Sequence, residues 1–125
     1  MLEVDRGELM RAFPELELLL LHGSRARGEA HAQSDWDFAY LAGATLDELA
    51  LRAALVKMVG SDAVDVADLS RAGGLLRYRA AREGELVLER EPGAHEAFAV
   101  AAITFWLDAE PTLRAGYEAV LERLG

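Results

Sequence analysis

The stretch Gly23-Ser24-Arg25-Ala26-Arg27-Gly28-Glu29-Ala30-His31-Ala32-Gln33-Ser34-Asp35-Trp36-Asp37 decides the fold of this chain. Before it, Leu16 to His22 is short and, apart from Glu17 and the terminal His22, apolar, with Pro14 ahead of it and Gly23-Ser24 behind, and reads as a buried strand. After the polar loop 31–34, Asp35 to Leu41 alternates acid with apolar and reads as a second strand. Gly23 permits a tight turn at the strand end. Ser24 is placed to cap a short helix, Arg25 to about Ala30, whose free N–H groups suit an anion such as phosphate. Arg25 and Arg27 add positive charge beside it. Asp35 and Asp37 lie two apart and so share a strand face, with Trp36, Phe38 and Tyr40 on the packed one. Neighbouring carboxylates repel. A divalent cation relieves that repulsion, and Mg²⁺ favours a few carboxylates together with phosphate oxygens. On spacing alone, an ordinary helix cap and two solvated acids at a loop edge remain open.

A third acid lies in Ala63-Val64-Asp65-Val66-Ala67-Asp68-Leu69, the next predicted strand. If Val64 and Val66 face the core, Asp65 projects on the same side as Asp35 and Asp37. Ala39 and Ala67 would leave open space around the acids. Asp68 falls on the other face, at the strand end, where it suits capping the following loop.

Further from the motif, Asp5 caps a helix to about Phe13, stopped by Pro14. Ala42 and Gly43 turn the chain, and Thr45 caps a helix to about Val59, with Asp47 and Glu48 in its first turn. Gly74 to Glu83 reads as helix with Gly84 as C-cap, and Glu85 to Arg90 as a fourth strand. From Ala94 a helix runs toward Leu124, kinked or split by Pro111. Phe105 and Trp106 on it are expected to pack in the core. Arg71, Arg77, Arg79 and Arg82, opposed by Glu83, form either a triphosphate or partner surface or a solvated helix face.

The 125 residues suit a single domain, 1–125, and 52% hydrophobic residues argue against disorder. Thirteen basic against 22 acidic residues give a net charge of −9, so an overall basic footprint for nucleic acid is absent. The lack of cysteine excludes thiolate chemistry and disulfides, and His22, His31 and His95 are scattered. No apolar run approaches a membrane span, and the acidic N-terminus does not suit a signal peptide. A cytoplasmic location is expected, with no membrane partner.

Gly23-Ser24, ten residues, then Asp35-x-Asp37, followed by an acid in an apolar strand, resembles the nucleotidyltransferase fold of the DNA polymerase β superfamily. The Gly-Ser-x-Ala-Arg-Gly start and the small size are most similar to the minimal nucleotidyltransferases. The likeness continues through Val64 to Leu69, Leu75-Leu76-Arg77-Tyr78-Arg79, Glu83-Gly84, Leu86 to Arg90, Phe105 to Asp108 and Pro111 to Arg114. His22 stands where an aromatic is common. The resemblance implies an α+β fold, a small mixed sheet with helices mainly on one face and a long C-terminal helical segment. It implies two Mg²⁺ ions on Asp35, Asp37 and Asp65, and a nucleoside triphosphate, ATP above all, whose β- and γ-phosphates are held at Gly23 and Ser24. It further implies transfer of the nucleotide to a hydroxyl, with Asp65 orienting or deprotonating the acceptor. Minimal members pair with HEPN ribonuclease toxins as antitoxins that AMPylate a tyrosine, so nucleic acid enters only through the partner. The alternatives are a catalytically degenerate module that blocks a HEPN partner by contact, and a nucleotidyltransferase acting on a small molecule or RNA.

Overall fold

The computed structural model describes residues 4–23, 26 and 35–124. In chain order these form α1 (Arg6–Ala12), β1 (Leu16–His22), β2 (Trp36–Ala42), α2 (Glu48–Val59), β3 (Val64–Asp68), α3 (Gly74–Glu83), β4 (Glu85–Glu89), α4 (Ala94–Asp108) and α5 (Pro111–Leu124). The sheet order is β3-β2-β1-β4; β1 runs antiparallel to β2 and β4, and β2 parallel to β3. The expected α+β class with a mixed sheet is therefore present.

The unbroken apolar run Leu18–Leu21 of β1 fits a central strand covered on both faces, while Glu17 near its start is exposed. Leu19 and Leu21 enter a core with Leu9, Phe13, Leu16, Phe38, Tyr40, Leu51, Leu55 and Val64, under α1 and α2. Leu18 and Leu20 enter a second core with Ala39, Leu69, Ala80, Phe98 and Ala102, under α3 and α4. Helices expected mainly on one face thus cover both. Local alternation reveals which residues share a face, but not whether the second face finds a cover.

Local signals act largely as expected. The Asp5 carboxylate accepts from Glu8 N–H and starts α1. For α2 the cap is Asp47, which accepts from Ala50 N–H, rather than Thr45, whose hydroxyl instead donates to Glu15. β2 and β3 each begin one residue later than the sequence suggests, leaving Asp35 just ahead of its strand. Pro111 splits the last segment in two and occupies the first position of α5, where its missing N–H goes unused. On α4, Phe98, Ala102 and Trp106 form the buried stripe, and Trp106 stacks on Tyr78 at 4.9 Å between ring centroids. Phe105, expected in the core beside it, is 63% exposed because it lies off that stripe. No helix among the described residues is long and apolar enough to cross a membrane.

Arg90 ties β4 to β1 and α1. Its guanidinium donates to the carbonyls of Leu16 (2.8 Å), Met10 (3.0 Å) and Phe13 (3.0 Å). Arg90→Ala strands these acceptors and is expected to cost about 2–3 kcal/mol in urea unfolding. Arg90→Lys should recover less than half, since an ammonium cannot reproduce the planar fork.

Candidate functional site

The candidate site gathers at one end of the sheet, where β1 finishes and β2 and β3 begin. In the parallel pairing Asp37 lies directly opposite Asp65, between the pairs Trp36–Val64 and Phe38–Val66. Residues opposite each other in a ladder project to the same face. The two carboxylates are therefore neighbours on the face that carries Ala39 and Ala67, while Trp36, Phe38, Val64 and Val66 pack on the α1–α2 side. Asp37 is half-buried and Asp65 exposed. Asp35, also exposed, directly precedes β2 at this end.

From the other flank, His22 pairs with Asp37 across the antiparallel ladder, and Gly23 follows it with φ +76°. A Cβ on Gly23 would stand 2.5 Å from Asp37 Oδ2. This backbone therefore passes against the carboxylate as only glycine allows. The sequence signalled the turn; the close approach to Asp37 is visible only in the fold. Ser24, Arg25 and Arg27, expected to hold phosphates, lie outside the described residues, as does the short helix expected there.

The open space expected around the acids is not found at Ala39. That residue is fully buried beneath the second core, because α3 and α4 fill the face just inward of the acids. The acids stand at the rim of this packing. Asp68 is placed as expected, on the opposite face against Tyr40 and at the far end of β3. Its Oδ1 accepts from Ser70 N–H (2.9 Å) and Ser70 Oγ (2.6 Å), and Arg71 approaches at 3.7 Å. It caps the turn. Nearby, Tyr40 donates to Glu48 at 2.9 Å, and burial, with that bond, pushes its phenol well above the ordinary value.

The four arginines do not converge on one ligand. Arg71 pairs with Asp68 and Arg79 with Glu83. Arg77 donates to the Leu69 carbonyl and lies over the Phe98 ring, while Arg82 donates to the Tyr78 hydroxyl. Each is engaged locally, and Asp68 supplies a counter-charge that the residue order did not signal.

Among the described residues, no three His, Asp or Glu side chains close around a single point as a finished metal cage. Two neighbouring carboxylates at an open rim nonetheless fit Mg²⁺, which is commonly held by one or two carboxylates with the rest of its shell from water and substrate phosphate. The donor set is all hard oxygen, as that ion requires.

Comparisons with known proteins show the family and the fold. The family described as Polymerase beta, Nucleotidyltransferase matches residues 7–93. The protein adenylyltransferase MntA of Aphanizomenon flos-aquae is 33% identical over 97 residues, 68% of this chain and 64% of that protein. The chain thus matches under two thirds of that relative's length. A crystal structure of a toxin–antitoxin with AMP-PNP contains a chain with a TM-score of 0.69 and 31% identity, covering 94% of this chain and 93% of that one. A tri-AMPylated Shewanella oneidensis HEPN toxin in complex with MNT antitoxin gives 0.62 and 30% identity, covering 94% and 90%. The matched segment spans β1, Gly23 and all three acids of the sheet rim, so this chain belongs to the polymerase β nucleotidyltransferase family.

Proposed function

We propose that the chain is a Mg²⁺-dependent adenylyltransferase that moves AMP from ATP to a tyrosine hydroxyl of a HEPN ribonuclease and thereby acts as its antitoxin. The observation that carries this reading is the in-register pair Asp37–Asp65 with Gly23 pressed against Asp37, in a chain of this family. The relative named as an adenylyltransferase and the AMPylated toxin complex support the choice of AMP and of partner.

In the transfer, the acceptor oxygen bonds to the α-phosphorus, the bond from that phosphorus to the bridging oxygen of the β-phosphate breaks, and pyrophosphate leaves. Asp35, Asp37 and Asp65 would hold two Mg²⁺ ions, which when bound neutralise the phosphate charge and polarise the attacking and leaving oxygens. Asp65, on the outer strand, orients the acceptor hydroxyl and receives its proton. Gly23 and Ser24 take the β- and γ-phosphates, with Arg25 and Arg27 adding positive charge. In-line transfer asks mainly for positioning and charge neutralisation, which this rim of acids and a phosphate-binding turn provide. The acceptor comes with a partner that brings its own surface. Val100, Phe105 and Leu107 on α4 and Leu113, Tyr117 and Val120 on α5 are 38–63% exposed, apolar side chains of the kind a protein partner covers.

Intact-mass measurement of the HEPN partner after incubation with the chain, Mg²⁺ and each nucleoside triphosphate tests the reading. A gain of one or more AMP units from ATP is expected. An unmodified partner silenced in a tight complex would overturn it in favour of contact-only neutralisation. Because the rim is not a finished metal cage, Mg²⁺ alone should barely raise the melting temperature of the chain. Mg²⁺ with AMP-PNP should raise it well beyond the sum of the two alone, with about 2.7 kcal/mol expected at a hundredfold excess over Kd.

A further inference from the structure

β3, which carries Asp65, is an edge strand: β2 occupies one side and no strand among the described residues pairs with the other. Asp37 sits in an interior strand, held by ladders on both sides and by Gly23. Asp65 is supported by the sheet on the β2 side alone, and the first residues of an edge strand are prone to fray. The start of β3 is pinned on its inner side by Trp36 N–H donating to the Ala63 carbonyl at 2.7 Å. The next carbonyl, that of Val64, turns to the outer side. There Arg52 on α2 meets it: Nε donates to the Val64 carbonyl at 3.0 Å and Nη2 to the Asp62 carbonyl at 2.9 Å. The Val64 carbonyl and the Asp65 N–H belong to one planar peptide, so the bond from Arg52 fixes the plane from which the Asp65 Cα departs. α2 is a firm base for this grip, because Leu51 and Leu55 on it are fully buried. A guanidinium suits this role, since its rigid fork reaches two carbonyls at once and its charge strengthens both bonds.

We infer that Arg52 is a positioning residue for the candidate site. By gripping the Val64–Asp65 peptide from α2, it holds the Asp65 carboxylate beside Asp37 and so sets the affinity of the rim for a divalent cation. This rests on the reading of Asp65 as part of the metal-binding rim.

The test uses the full chain with Arg52→Ala, Arg52→Lys, Asp65→Asn and the double variant Arg52→Ala/Asp65→Asn. Mn²⁺ binding is followed by electron paramagnetic resonance in the presence of AMP-PNP, and amide hydrogen exchange is read at Val64, Asp65 and Val66. Arg52→Ala should weaken Mn²⁺ binding roughly tenfold, the size seen when a supporting partner of a metal ligand is removed. Exchange at Asp65 should quicken while β1 is unchanged. Arg52→Lys, which keeps the charge but not the fork, should fall between, and it stands in if the alanine variant fails to fold. Adding Arg52→Ala to Asp65→Asn should weaken Mn²⁺ no further. Wild-type Mn²⁺ affinity in Arg52→Ala, alongside a loss in Asp65→Asn, would overturn the role of Arg52 and leave the metal-binding reading standing. Unchanged affinity in Asp65→Asn would overturn both. A purely structural Arg52 would lower the melting temperature without moving the Mn²⁺ affinity of the folded chain.

Discussion

Asp37→Asn is expected to abolish nucleotide transfer while leaving the fold intact. The substitution keeps the shape and much of the hydrogen-bonding capacity of the side chain but removes its charge, at the one acid flanked by both Gly23 and Asp65. On the proposed reading that this carboxylate holds charge-neutralising metal, its loss should raise the barrier by at least about 3–4 kcal/mol, a fall of roughly 10²- to 10³-fold in turnover. Asp35→Asn and Asp65→Asn should act in the same direction. Asp68→Asn is the control: its carboxylate caps the turn at Ser70, on the other face and at the far end of β3, so transfer should change little. Turnover measured from α-labelled ATP onto the partner checks all four, with circular dichroism to confirm folding. An Asp68→Asn defect as deep as that of Asp65→Asn would show that the site lies elsewhere.

Gly23→Ala should be nearly as damaging, for a different reason. With φ at +76°, an L-residue there is strained, and its Cβ would stand 2.5 Å from Asp37 Oδ2. Either the turn or the carboxylate must move. The backbone term alone costs about 1–2 kcal/mol of stability. Displacing a reacting-site group by about 1 Å can cost roughly 10²-fold in rate. Gly60→Ala separates the two effects. Gly60 has φ +73° at the C-terminal cap of α2, with nothing within 4 Å of an added Cβ. It should lose comparable stability in urea unfolding and keep wild-type turnover. Equal losses of turnover in the two variants would mean that backbone strain alone, and not the approach to Asp37, explains the glycine.

Much of this arrangement is legible in residue order because it is local. The alternation Val64-Asp65-Val66 sorts side chains onto two faces whatever β3 pairs with, and the structure has the valines on the packed side and Asp65 on the other. Gly23 announced a turn, and its positive φ meets that demand. Pro14 and Pro111 bounded elements as their missing N–H groups require, and Asp68 stood where a turn cap belongs. At α2 the local signal misled: Thr45 was expected to cap the helix with Asp47 in its first turn, whereas the helix begins after Asp47, which is itself the cap.

By itself, then, the amino-acid sequence determined most of the described elements, their faces and the common side of Asp37 and Asp65. These depend on periods of two and 3.6 residues and on the conformational limits of glycine and proline. Tertiary structure alone decided which residues meet across the chain. It set Asp37 opposite Asp65, brought Gly23 to the Asp37 carboxylate, buried Ala39 beneath α3 and α4, and laid the Arg52 guanidinium on the Val64 carbonyl. Each of these contacts joins residues ten or more positions apart. Their geometry is fixed by how two cores pack against one sheet, a collective outcome that no short window of sequence contains.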